Sequence, residues 1–213
     1  MFMTDIEFKE TLDLMSGKRV SGPLFTELKI WVKAAMGVEV YHYFCDTTTN
    51  GLLRLRLVLW DFAAERNMHD GPNLDAKKQM AIAKKFSELA RFYQIHQDYW
   101  QAENIFVCYE TLRDEIQKDI LKRVRAEIKN IQHPDIWRIE IFFESIHVFY
   151  KTDEQIVSNQ TNGISDYIRN QCTQLVKRYD WYNAFANGAN CIFSSHQTID
   201  EKFHGNMFYY YNG

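Results

Sequence analysis

The chain has 213 residues, 46% of them hydrophobic and 25% charged, with a formal net charge of −3. A chain of this size buries roughly 70% of its unfolded surface and needs no disulfide or metal to fold. The composition excludes a disordered tail, a collagen-like fibre and a simple coiled coil, and the mild acidity leaves no basic footprint for a nucleic-acid duplex.

The opening stretch, MFMTDIEFKETLDLM, carries acids where a secretory signal needs a basic start and an apolar run. It predicts a short helix over 4–15, ending at Gly17. Ser21-Gly22-Pro23 starts a second helix, with proline in the first turn where its missing N–H costs nothing. Phe25, Leu28, Val32 and Ala35 share a face of it, and Gly37 ends it.

Residues 38–46 and 52–60 read as a β-hairpin around Asn50-Gly51. Val38, Val40, His42 and Phe44 alternate on one face of the first strand. In the second, Leu53, Leu55, Leu57 and Leu59 point one way while Arg54 and Arg56 point the other, as in a sheet with one face buried and one partly wet.

After an irregular stretch over 61–73, Asn73 or Asp75 caps a long helix to about residue 100. Its stripe is Ile82, Phe86, Leu89, Tyr93, His96 and Trp100, with Lys77, Lys84 and Arg91 on the solvated side. Residues 105–109 are apolar on both faces and predict an interior strand. Thr111-Leu112-Arg113-Asp114 opens a helix that buries Leu112, Ile116, Ile120, Val124 and Ile128, and Pro134 forbids its continuation.

Trp137, Ile139, Ile141 and Phe143 alternate with Arg138 and Glu140 in a strand, and Ile146, Val148 and Tyr150 continue the period. Asn162 or Ser165 caps a helix bearing Ile164, Ile168, Cys172, Leu175 and Tyr179. The rest reads as a strand over 190–194, a helical turn near 198–203 and a last strand from Met207 to Tyr211. No internal repeat is visible. This order predicts an α+β fold, a mostly antiparallel sheet packed with helices on one face. It forms a single domain over 1–213, with a weak subdivision near 155–163 and one parallel pair within 105–143.

The four cysteines, Cys45, Cys108, Cys172 and Cys191, are far apart and form no C-x-x-C. With no basic signal, they point to reduced thiols in a cytoplasmic protein. No stretch approaches the roughly 18 apolar residues of a membrane span. The closest glycines are Gly17 and Gly22, so G-x-G-x-x-G and G-x-S-x-G are absent, and so are the Walker pattern and H-E-x-x-H. The chain carries no signature for a metal or a cofactor.

Four constellations remain. Asp61, Glu65 and His69 are spaced four and four, as metal ligands on one helix face would be, but surface polarity beside a loop explains them as well. Cys191, His196, Asp200 and His204 hold a thiol, imidazoles and an acid, but the apolar run around Cys191 favours a core cysteine. Arg54, Arg56 and Arg138 form an arginine-lined sheet face suited to a phosphate or carboxylate, with Glu140 or His147 available as a general base. Cross-strand pairing to Glu140 is the plainer reading of those arginines. The fourth feature is 15% aromatic content, including Tyr179-Asp180-Trp181-Tyr182.

The expectation is a soluble, non-catalytic module that occludes another protein, in the manner of an inhibitor or a toxin-immunity protein. Its partner would be a basic toxin or enzyme domain, held by Asp61, Glu65, Asp70, Trp181 and Tyr182. It would be a monomer or homodimer with no membrane or nucleic-acid partner. The alternative is a small hydrolase or transferase that binds an anion on the arginine-lined face.

Overall fold

The computed structural model describes residues 3–212. The chain is α+β and divides into two units, one running to Glu115 and the other starting at Ile116. The division falls inside the helix that spans Leu112–Val124.

The first unit opens with α1 (Asp5–Met15), whose Thr4 and Glu7 form a reciprocal capping box. Helix α2 (Pro23–Met36) starts on its proline and ends on Gly37, which takes the left-handed conformation at φ 70°. Strands β1 (Val40–Thr47) and β2 (Leu53–Leu59) form the expected hairpin. A short helix, α3 (Phe62–Arg66), and a two-residue ribbon, β3 (His69–Asp70) with β4 (Asn73–Leu74), occupy the stretch expected to be irregular. Helix α4 (Ala76–Phe92) is capped by Asp75, and β5 (Ile105–Thr111) returns parallel to β2. The sheet order is β1-β2-β5, so β5 lies at an end of the sheet, where an interior strand was expected.

The leucines of β2 and Val107 and Tyr109 of β5 face a core filled by Leu24, Phe25, Leu28 and Val32 from α2 and Ile82, Phe86 and Leu89 from α4. The register shifts between Val40 and His42. This bulge, centred on Tyr41, keeps Val40 on the core face but turns His42 and Phe44 to the arginine face. One alternating face for all four residues therefore fails. The arginine face is covered by α1, which reaches Arg56 through Glu7.

Helix α5 (Leu112–Val124) follows β5 and carries the chain into the second unit. There β6 (Ile136–Phe142) and β7 (Ser145–Tyr150) form a second hairpin. Helices α6 (Asp153–Thr161) and α7 (Ile164–Lys177) lead to β8 (Cys191–Ser195), which runs parallel to β7. Helices α8 (His196–Phe203) and α9 (Met207–Asn212) follow. The segment expected to be a last strand is thus helical. The parallel pairs are β2–β5 and β7–β8, whereas the two strands of the 105–143 stretch belong to different sheets.

Each unit therefore contains a hairpin, a helical crossover and a strand parallel to the hairpin's second strand, and a helix starts directly after that strand. The correspondence extends to register. The second hairpin has the same bulge, centred on Trp137, between Ile136 and Arg138. Leu59 pairs with Thr111 in one unit and Tyr150 with Ser195 in the other. Just beyond those pairs, the Arg113 N–H donates to Trp60 O at 2.8 Å and the Gln197 N–H to Lys151 O at 3.3 Å. The repeat is invisible in sequence because pleat, twist and crossover fix this topology through polarity patterns rather than residue identity.

Candidate functional site

The arginines expected on one sheet lie on two. Arg54 and Arg56 sit on β2, and Arg138 on β6 of the other sheet. Nor do the first two face an open site. Arg54 Nε donates to Asp46 Oδ1 at 2.7 Å in a two-pronged pair with that carboxylate. Arg56, buried at 5% exposure, hydrogen-bonds to Glu7 and to Glu110 at 2.9 Å, and its Nε lies 3.2 Å from Asp46 as an ion pair without a hydrogen bond. Burial pushes the Glu7 carboxyl up, but hydrogen bonds from Arg56 and Thr4 outweigh it and hold the group below its ordinary value. Cys108 lies on this face across from Arg56, and burial pushes its thiol up to about 11.

Arg138, Glu140 and His147 do share one face of the second sheet, since Glu140 and His147 are register partners. Arg138 pairs with Glu140, whose other oxygen accepts from the Tyr211 hydroxyl at 3.1 Å. His147 is buried among Phe149, Tyr210 and Tyr211, and that burial lowers its pKa. Here α9 lies over the polar face, as α1 does in the first unit. His147 occupies the register position of Arg56, so an aromatic box stands where the first unit has an ion-pair network. Arg138 and Glu140 also line an open cavity of about 730 Å³ with Lys129, His133 and Trp137.

The acidic candidates are divided by role. Asp61 caps α3 by accepting from the Ala64 N–H at 3.0 Å and lies 3.6 Å from Arg113. Glu65 is 3.7 Å from His69, and partial burial raises its pKa. Helix α3 stops at Arg66, so His69 is not on a helix face with the two acids. Asp70 is exposed on β3. Among the described residues no group of three or more His, Cys, Asp or Glu is placed to hold a metal.

Trp181 is 85% exposed. Its loop is nonetheless tied down. The Asp180 carboxylate accepts from the Ala184 and Phe185 N–H groups at 2.8 and 2.7 Å. Phe185 and Ala184 are buried, Tyr179 donates to Glu127 at 2.5 Å, and Asn183 adopts the left-handed conformation at φ 58°. Tyr182 is half-buried beside the tryptophan.

Cys191 and His196 lie at opposite ends of β8, roughly 16 Å apart at the usual strand rise. They cannot act as nucleophile and base. Instead His196 packs on Trp137 at a 33° tilt with ring centroids 4.0 Å apart, and Cys191 lies on the face of β8 turned toward α7, which carries Cys172. No spacing rule pairs Cys172 with Cys191, and the α9 cover was hidden because its aromatic run reads as a strand.

No protein-family model matches the chain, no curated protein matches it, and no solved structure matches it.

Proposed function

We propose that the protein is a non-catalytic binding module that occludes a partner protein, as an inhibitor or a toxin-immunity protein does. The observation that supports this most is Trp181, held out at 85% exposure on a loop pinned by Asp180. Such a side chain adds nothing to its own fold. A pre-ordered aromatic ring, however, buries large area on a partner at little entropic cost. Exposed Asp70 and the carboxylates of Asp61 and Glu65 suit a partner with a basic surface.

The test is capture of partners by the tagged protein, compared with Trp181→Ala. One stoichiometric protein with a basic surface is expected, bound about 30-fold or more weakly by the variant, equivalent to roughly 2 kcal/mol. The variant's unfolding midpoint should barely move, because exposed positions usually change stability by less than about 0.5 kcal/mol. Capture unaffected by the substitution removes Trp181 from the interface. The absence of any stoichiometric partner overturns the reading.

A second reading is favoured by the cavity of about 730 Å³ beside β6. A small phosphate- or carboxylate-bearing ligand would meet Arg138, Lys129 and the Trp137 ring there, with Glu140 as the available base, in a hydrolase or transferase. Titration with small anions, followed by amide shifts along β6, tests it.

A further inference from the structure

Three contacts hold α7 against the segment that becomes β8. The Arg169 guanidinium lies over the Phe193 ring, 5.2 Å from its centroid. Thr173 Oγ1 accepts from the Ala189 N–H at 3.1 Å. The backbone at Gly188 comes so near that a β-carbon there would lie 3.1 Å from the same oxygen. Cys172 on the helix and Cys191 on the strand fall between these contacts, and Cys191 shares the face of β8 that Phe193 turns toward α7, so the two thiols face each other. The sulfurs are neighbours across two elements fixed on either side.

The two thiols are unequal. Cys172 is fully buried and Cys191 half-buried at the start of its strand. The hydrogen bond from Cys172 outweighs burial and brings the Cys191 thiol below its ordinary value, with the Arg169 charge acting in the same direction. Cys45 and Cys108 differ, with burial pushing them up to about 12 and about 11. Cys191, less buried than Cys172 and the one of the pair an oxidant reaches first, is the attacking thiol.

We propose that Cys172 and Cys191 form an oxidisable dithiol, a modification site at which a hydroperoxide installs a disulfide between α7 and β8. In the first step the Cys191 thiolate attacks the outer peroxide oxygen. The O–O bond breaks, the departing oxygen takes a proton to leave as water or an alcohol, and Cys191 becomes a sulfenic acid. In the second step the Cys172 sulfur attacks the Cys191 sulfur. The S–S bond forms, the S–O bond breaks, and hydroxide leaves with the Cys172 proton as water. The hydroperoxide is reduced by two electrons and the two thiols are oxidised by one each. A dithiol reductant reverses the bond by exchange.

The experiment uses the full chain, reduced and then treated with a few equivalents of hydrogen peroxide. Remaining thiols are alkylated, and the protein is digested and mapped by mass spectrometry. The expected product is a peptide joining Cys172 to Cys191, lighter by two hydrogens and lost on treatment with dithiothreitol, with Cys45 and Cys108 still alkylated. In Cys191→Ser, Cys172 should stay a free thiol after the same dose. In Cys172→Ser, a sulfenic acid trapped at Cys191 by dimedone is expected. The wild-type map decides the matter even if either variant folds poorly. Cys191 running on to sulfinic acid beside an unlinked Cys172 overturns the proposal. So does linkage of Cys191 to any other thiol, or a Cys191 that resists the oxidant.

Discussion

Replacing Arg56 with methionine tests the ion-pair network under α1. Arg56 and Glu110 are each only 5% exposed, and the guanidinium bonds to Glu110 at 2.9 Å and to Glu7 on α1. Methionine fills much of the same volume but removes the charge. Asp46 keeps Arg54 at 2.7 Å, so the loss falls on Glu7 and Glu110. Breaking a buried pair from one side costs about 3–5 kcal/mol, because the remaining charge is stranded. That is a large share of the roughly 5–15 kcal/mol that holds a typical fold together.

Urea unfolding followed by hydrogen exchange on peptides from β2 and β5 reports on this unit alone. With a urea dependence of about 2 kcal/mol/M, the midpoint should fall by roughly 1.5–2.5 M. Adding Glu110→Gln should recover part of the loss, since it removes the stranded charge. The pH dependence has a definite sign. The Glu7 carboxyl lies below its ordinary value of 4.5 in the folded state. Its contribution is therefore present above pH 4.5 and is lost as pH falls through the lowered folded value. The gap between wild type and variant should narrow over that range. A cost under about 1 kcal/mol, or a double variant as unstable as the single, would refute the assignment of a buried, mutually dependent network.

Two further outcomes follow from the geometry. Burial brings the His42 pKa down to about 4, and its Nδ1 accepts the Tyr43 N–H at 2.7 Å, so the ring is neutral with its proton on Nε2. The unfolded chain takes up a proton first, so stability should decline from about pH 6.5 toward about 4, and NMR should show a neutral ring at pH 5.5. Titration at the ordinary histidine value contradicts this. Gly188→Ala places a β-carbon 3.1 Å from Thr173 Oγ1 at a φ of +84°, and about 1–2 kcal/mol of destabilisation is expected in a urea melt. A neutral result would mean that the contact between this loop and α7 is loose.

The sequence was legible where a local signal decides structure. Pro23 and Gly37 bound α2, and the leucine–arginine alternation set the faces of β2. It was illegible where a tertiary contact decides. Helix α4 ends at Phe92, with Tyr93 as its C-cap and Gln94 at φ 54°, so His96 and Trp100 leave the helical stripe without a glycine or proline to announce it. The bulges at Tyr41 and Trp137 invert a pattern that periodicity extends unbroken. Phe208 to Tyr211 have strand propensity, yet they coil because Tyr210 and Tyr211 pack edge-on to His147 and Tyr211 stacks on Phe142 at 3.8 Å. Among the site candidates, Trp181 was marked only by its aromatic cluster, which suits a core as well as a surface, so its 85% exposure is a tertiary fact. That Arg54 and Arg138 belong to different sheets depends on strand order, which no local pattern carries.

The position of the two cover helices in the chain bears on folding during synthesis. Helix α1 emerges before the sheet it covers, so Glu7 is at hand when β5 delivers Glu110 and Arg56 loses its water. Helix α9 follows β8 closely in the chain, so the last strand of the second sheet and the cover for the face bearing His147 and Phe149 become available nearly together. The first unit closes its polar face in one event with its last strand. The second needs the same short stretch of chain both to finish its sheet and to cover its aromatic face, and until that stretch is in place the face is open to a chaperone or another nascent chain.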